Sequence, residues 1–293
     1  MLRFRSLGSG STGNATLVEG FDGIQTRRLL VDCGLGIRQL GVRLGQAGLA
    51  PADIDAIFIT HEHADHIGCA RSFALRQRIP VWMSHGTYTA MGAPDFDGLL
   101  RTAHDSCAID LGTFQALPFT VPHDAREPLQ LTCFDGASRL GVLTDLGHAT
   151  AHVLQQLAGC NTLLLESNHD PALLQASTYP AFLQKRVSGP YGHLTNTAAA
   201  AATEPMIPAL IQPLLDGSFV EKDPHSIRLM PVLLVAVFIV RGITGFIGSV
   251  TMNWIAHRVV MDLRAALFDR LLTLPTRYFD DHSAGNLLSR LTY

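Results

Sequence analysis

Short apolar runs recur along the first two-thirds of the chain, and each stops at a polar cluster. Leu29-Leu30-Val31 ends at Asp32, and the run 56–60 ends at His61. Pro118 to Val121 leads into Pro122-His123-Asp124, and Leu140 to Thr144 ends at Asp145. Leu163-Leu164-Leu165 ends at Glu166-Ser167-Asn168-His169-Asp170. Runs this short, aliphatic or β-branched and closed by turn residues, predict buried strands. Helical spacing over 37–47, 67–77 and 150–157 fills the intervals, so the pattern predicts an α/β fold. In such sheets ligands gather beyond the carboxyl ends of the strands, where these polar clusters fall.

The pattern changes at Thr203-Glu204-Pro205. From Leu229 to Met252 the chain is mostly apolar, with Arg241 its only charge. At ~1.5 Å rise per residue such a helix crosses a hydrocarbon core of ~30 Å. A membrane-spanning helix is expected over about 229–252, followed by an amphipathic extension over about 254–274 carrying Arg258, Arg264 and Arg270. Arg241 needs a partner or a water-filled cavity at that depth. The alternative is a buried core helix of a soluble domain. The chain is thus expected to divide into 1–203 and 204–293.

Charge and composition sharpen this picture. The 293 residues carry a net charge of −3, with a net of −4 over 1–204 and +1 over 205–293. Such a balance argues against a broad basic footprint for nucleic acid, though six of the acids over 1–204 lie in the polar clusters at the strand ends, and two divalent ions there would offset them. Ten of the 13 histidines lie between 61 and 193. The five cysteines are scattered without C-x-x-C spacing, which predicts reduced thiols in a cytoplasmic hydrolase domain. The N-terminus lacks the continuous apolar core of a secretory signal.

The chemistry concentrates in His61-Glu62-His63-Ala64-Asp65-His66, directly after a predicted strand and before a predicted helix. Imidazole and carboxylate together suit Zn, Mn or Fe. Alternation in an extended turn sends His61 and His63 one way and Asp65 with His66 another, an arrangement that suits two neighbouring ions. Further ligands must come from other strand ends. The expected sets are His61, His63, His123 and Asp145 for one ion, and Asp65, His66, Asp145 and His193 for the other, with Asp145 bridging. Both sets would leave a position open, as catalytic sites require.

These residues, with Val31-Asp32-Cys33-Gly34 before them, resemble in order the five motifs of the metallo-β-lactamase superfamily. The opening Ser6-Leu7-Gly8-Ser9-Gly10-Ser11-Thr12-Gly13-Asn14-Ala15 resembles more narrowly its YycJ/WalJ-like branch. So do His123-Asp124-Ala125, Glu166-Ser167-Asn168-His169-Asp170 and Gly192-His193-Leu194-Thr195-Asn196. The resemblance covers residues 1 to about 200. It implies an αββα sandwich, truncated on its C-terminal side, holding two divalent ions (Zn or Mn), and a nuclease-like phosphodiesterase with DNA as substrate. A thioester or lactone hydrolase of the same fold is the rival, because the same metal chemistry attacks carbonyls.

Roles follow from that expectation. Two ions ~3.5–4 Å apart lower the pKa of bound water and supply a nucleophile at neutral pH. The catalytic set is Asp65, Asp32 and His169. Asp32 is expected to accept an N–H from a ligand histidine and fix its orientation. His169 is placed to contact substrate or protonate a leaving group. Ser9, Ser11, Asn14 and Asn168 are candidates for substrate contact.

Residues 204–293 resemble another family. Pro208 to Phe219, Ala256 to Arg264 and Asn286 to Thr292 are similar to the transmembrane domain of an MsbA-type lipid A export ABC transporter. The resemblance implies an all-α transmembrane-type segment associated with the inner membrane. No Walker A string occurs, so no nucleotide-binding domain or ATPase activity is expected. The passage from Ala198–Ala202 into transporter-like sequence suggests a composite reading frame, with an inactive product among its outcomes. A membrane-anchored hydrolase is the alternative.

Overall fold

The computed structural model describes residues 1–203 and scattered helical positions between 239 and 268. The chain forms two compact units, Met1–Pro213 and Leu214–Tyr293.

In the first unit β1 (Leu2–Gly8), β2 (Ala15–Phe21), β3 (Thr26–Val31), β4 (Ala56–Phe58), β5 (Val81–Met83) and β6 (Leu100–Thr102) form a six-stranded sheet in that order. The β1–β2–β3 portion is antiparallel and the rest parallel. A second sheet has the order β11 (Thr162–Leu165), β10 (Arg139–Leu143), β9 (Leu129–Phe134), β8 (Gln115–Thr120) and β7 (Ile109–Asp110). Here only the β10–β11 pair is parallel.

Side chains alternate across a strand, so each buried strand divides its apolar residues between two cores. Leu29, Val31, Ala56 and Phe58 pack with Ala116, Leu129, Leu131 and Val142 between the sheets. Leu30 and Ile57 face the other way, onto Leu40 and Leu44 of helix α1 (Ile37–Gln46). On the far side of the second sheet, Phe119 and Leu143 meet helix α5 (Ala151–Leu157) through Val153 and Leu157. The result is a four-layer αββα sandwich. Burial on both faces explains why these strands read as continuous apolar runs rather than alternating ones.

The helix expected over 67–77 is in fact two, α2 (Ala64–Ile67) and α3 (Ala70–Gln77). The break is Gly68, at φ 24°, where a Cβ would lie 2.5 Å from the Cys33 carbonyl oxygen. Packing against Cys33–Gly34 therefore interrupts the helical periodicity. The remaining α-helices of the first unit, among the described residues, are α4 (His85–Ala90), α6 (Pro171–Gln175), α7 (Ala181–Val187) and α8 (Asn196–Ala202).

The expected membrane span 229–252 and its extension 254–274 lie outside the described residues, apart from isolated helical positions. Among the described residues no helix is long and apolar enough to cross a membrane. In the second unit Ile239, Ile243, Val250, Trp254, Met261 and Phe268 are each at least half exposed.

Candidate metal centre

Strand ends build the centre. His61 follows β4, and His63 is the extended residue that begins α2 (φ −62°, ψ 145°), which places Asp65 and His66 in the first turn of that short helix. The second sheet delivers His123 beyond β8, Asp145 beyond β10 and Glu166 beyond β11. His193 arrives from the loop before α8. His61, His66, His123 and Asp145 are all buried.

Asp145 stands at the middle of this arrangement. Its Oδ2 lies 2.7 Å from His66 Nε2, 3.4 Å from His61 Nε2 and 3.9 Å from His123 Nε2. Its Oδ1 lies 3.5 Å from His193 Nδ1. His63 Nδ1 is 2.9 Å from His61 Nε2 and 3.3 Å from His123 Nε2. The donor atoms of His61, His63, His123 and Asp145 lie within 4.8 Å of one another, and so do those of Asp145, Glu166 and His193. Asp65 Oδ2 is 3.6 Å from His66 Nε2.

The chain fixes which ring nitrogens face inward. His123 Nδ1 donates to the Gly192 carbonyl at 3.0 Å, which leaves Nε2 as a bare lone pair. His66 Nδ1 donates to Asp32 Oδ2 at 2.7 Å, again presenting Nε2 to the cluster. The Thr60 hydroxyl donates to Asp32 at 2.9 Å, so its oxygen accepts from His61 Nδ1 at 3.0 Å. Each of these ligand-type histidines is thus oriented by its outer nitrogen, the arrangement that metal-binding imidazoles need.

Electrostatics point the same way. Burial drives the His61 imidazole far below its ordinary pKa, with the neighbouring His66 adding to the effect, so it stays neutral and basic. Burial also opposes charge on His66 and His193, but carboxylates outweigh it. Asp32 and Asp145 push His66 up to about 11, and Asp145 and Glu166 push His193 up to about 10. Burial would raise Asp145, yet hydrogen bonds from His193 and His66 hold it far below the usual carboxylate range. Without metal, protons therefore neutralise the central carboxylates. Divalent cations fit a donor set of this kind, displacing those protons as they bind. The imidazole and carboxylate chemistry suits a transition metal.

The sequence profile of the metallo-β-lactamase superfamily matches residues 8–165. The chain belongs to the metallo-β-lactamase superfamily. It is a metal-dependent hydrolase. A protein called exodeoxyribonuclease YycJ from Bacillus anthracis is 32% identical over 211 residues, covering 70% of this chain and 78% of that protein. Exodeoxyribonuclease WalJ of Streptococcus pneumoniae is 28% identical over 205 residues, covering 68% and 75%. The metallo-β-lactamase fold protein YhfI from Bacillus subtilis has the same fold at a TM-score of 0.54 and 14% identity, over 70% of this chain and 82% of that one.

The profile of the ABC transporter transmembrane region matches residues 196–293. An ATP-dependent lipid A-core flippase from Thiobacillus denitrificans is 54% identical over 93 residues, 32% of this chain. The chain spans 16% of the length of that flippase.

Within the metallo-β-lactamase domain the other predicted site residues are distributed unevenly. Asp32 is wholly buried and accepts from Thr60 N at 2.9 Å besides His66. Asn14 Nδ2 reaches Asp65 Oδ2 at 3.1 Å and His66 Nε2 at 3.0 Å, so it joins the centre. Ser9 lines a smaller cavity of about 70 Å³ with Asn14 and Glu166. Ser11 and Asn168 are exposed and line neither this cavity nor the cleft at the histidines. His169 also stays out of both, buried with both ring nitrogens unpartnered, and burial lowers its pKa.

Glu166 is the site residue that the motif reading left without a role. Its Oε1 lies 2.5 Å from His193 Nδ1, and its Oε2 accepts from Leu146 N at 2.9 Å. It ties His193 to the residue after Asp145. The signal available in the sequence was its place at a strand end, shared with His61, His123 and Asp145.

Alanine at Asp32 would strand Thr60 N and His66 Nδ1 without their acceptor in the core. The expected outcome is metal affinity lower by about 10- to 100-fold, read by competition with a chelating dye, and a smaller loss for Asp32→Asn. Unchanged affinity with a lowered Tm would leave Asp32 a purely structural role.

Proposed function

We propose that residues 1–203 form a dinuclear phosphodiesterase that removes nucleotides from DNA ends, using Zn or Mn. His61, His63, His123 and Asp145 would hold one ion, and Asp65, His66, Asp145 and His193 the other. The observation that carries this reading is Asp145, which offers one oxygen to His61, His66 and His123 and the other to His193. The DNA substrate comes from the two exodeoxyribonuclease relatives, each covering about 70% of this chain.

When bound, two such ions supply a water-derived nucleophile and neutralise charge growing on the phosphoryl oxygens. The chain does the rest. Asp32 orients His66, Gly192 orients His123, and Glu166 orients His193. Asn14, held by Gly10 N at 2.9 Å, keeps Asp65 and His66 in register. Ser9 and Ser11 lie in the same Gly-rich loop as Asn14, and we assign them to contact with the substrate. His169, with both ring nitrogens unpartnered, adjoins the His193 loop through its backbone bridge to Thr195, and we assign it to the leaving group or the substrate.

Residues 204–293 we assign to a partial transporter membrane domain, with a span over 229–252 and a cytoplasmic extension over 254–274. This would attach the hydrolase to the inner membrane. The half-exposed apolar side chains from Ile239 to Phe268 support it. The transporter profile begins at residue 196, inside α8, whose Ala199 and Ala202 are buried within the first unit. A composite origin fits that overlap.

The deciding assay gives the full chain, loaded with Mn or Zn, labelled single- and double-stranded DNA and, separately, a thioester. Release of nucleotides from DNA ends, lost in His61→Ala, is the expected result. Thioester turnover without DNA turnover favours the carbonyl hydrolase. Metal-loaded but inert protein favours an inactive composite.

A further inference from the structure

The cleft beside the histidines is acidic. Its cavity of about 320 Å³ is lined by Asp65, Asp124 and Asp145 together with His63 and His193. Among the described residues one arginine and no lysine enters that lining, and it is Arg186. It stands in the last turn of α7.

Two features hold it there. Its Nε donates to Asp124 Oδ2 at 2.5 Å, and its Nη2 lies 3.5 Å from His63 Nε2. The end of α7 is also clamped to the loop that carries His193. His193 N donates to the Val187 carbonyl at 2.9 Å, and a Cβ on Gly192 would lie 2.2 Å from the Arg186 and Val187 carbonyl oxygens. The backbone of Arg186 is thus placed with respect to the centre, not free to wander.

A guanidinium presents five N–H donors in a planar fork. Asp124 takes one of them. The side chain remains 56% exposed, so the Nη donors stay open to a ligand entering the cleft. A lone surface ion pair stabilises a fold little, and nothing in α7 requires a cation at this position for packing. Among three carboxylates, a fork with unused donors matches an anion with paired oxygens and offers little to a neutral ester.

We infer that Arg186, steadied by Asp124, selects phosphodiesters over carbonyl esters by a two-pronged contact to the non-bridging phosphate oxygens. The inference rests on the phosphodiesterase reading above and adds to it the residue that sets substrate class.

The test uses the full, Mn-loaded chain and three probes. They are thymidine 5′-(p-nitrophenyl phosphate) for diester hydrolysis, p-nitrophenyl acetate as an uncharged ester, and thymidine 5′-monophosphate for binding. Arg186→Ala is expected to lower kcat/KM on the diester by about 30-fold and to weaken monophosphate binding similarly. Acetate hydrolysis should fall by only a few-fold. Arg186→Lys, which keeps charge but loses the fork, should recover only part of the diester loss. Because the side chain is more than half exposed, folding is not at stake, and unchanged circular dichroism checks it. Equal losses on diester and acetate, full recovery by lysine, or monophosphate binding indifferent to Arg186→Ala would each overturn the assignment. If the unsubstituted chain cleaves the acetate but not the diester, the phosphodiesterase reading itself fails and takes this inference with it. If it cleaves the diester and Arg186→Ala does so equally, only the role of Arg186 fails.

Discussion

Asparagine in place of Asp145 is expected to lower the metal content of the purified chain to well under one ion, and to cut hydrolysis by on the order of 10³-fold. Asparagine has nearly the same shape, so the change removes charge and little else. The charge matters because Asp145 is the one side chain common to both donor clusters. Its position is fixed by neighbours the substitution leaves alone. Gln130 Nε2 donates to the Asp145 carbonyl at 3.2 Å, and Gln130 Oε1 accepts from Thr144 N at 3.0 Å. The metal-free protein should also lose stability, since His66 and His193 would keep their protons with one counter-charge fewer between them. Elemental analysis and a thermal melt read the two effects separately. Full metal content in Asp145→Asn would remove Asp145 from the centre and dissolve the two-ion assignment.

The residues most legible in the sequence were those with a local cause. His61 to His66 form one contiguous string, and His123 and Asp145 each follow an apolar run that could only be a buried strand. Their convergence needed no knowledge of the fold beyond the rule that strand ends carry chemistry. Arg186 was invisible for the opposite reason. It sits on α7, a helix of seven residues with three exposed positions before it, and only packing against the Gly192–His193 loop brings it to the cleft. Glu166 lay in plain view within a motif, but its role depends on the distance to His193, which spans 27 positions of chain. The N-terminus reads as strand and turn, but the pairing of β1 with β2 is not legible, because Arg3 and Arg5 interrupt the apolar pattern of an edge strand whose middle is exposed. The split between α2 and α3 was missed because its cause, the backbone at Cys33–Gly34, is more than 30 residues away in sequence.

That same crossing point yields the largest expected effect on folding. Three backbone segments meet at Gly34. Asn14 N donates to the Asp65 carbonyl at 2.7 Å, Gly34 N to the Asn14 carbonyl at 2.9 Å, and Cys33 N to the His66 carbonyl at 2.8 Å. A Cβ on Gly34 would lie 1.7 Å from the Asp65 carbonyl oxygen and 2.8 Å from Asn14 N. Both are backbone atoms, so no side-chain rotation relieves the clash, and the segment bearing Asp65 and His66 must move. Gly34→Ala is therefore expected to destabilise the domain by about 3 kcal/mol or more, a fall in Tm of roughly 6–12 °C for a domain of this size. Metal affinity should fall with it, because Asp65 and His66 are displaced together. Gly41→Ala is the matched control. It lies inside α1 with nothing within 4 Å of the added methyl, and helix propensity predicts a gain of about 0.5–1 kcal/mol. Calorimetry and a metal titration on the two variants separate a local clash from a general intolerance of alanine for glycine. A Gly34→Ala protein that melts and loads metal like the unsubstituted chain would mean that the loop holding Asp65 and His66 is not locked by this crossing, and the orientation argued for His66 would lose its structural basis.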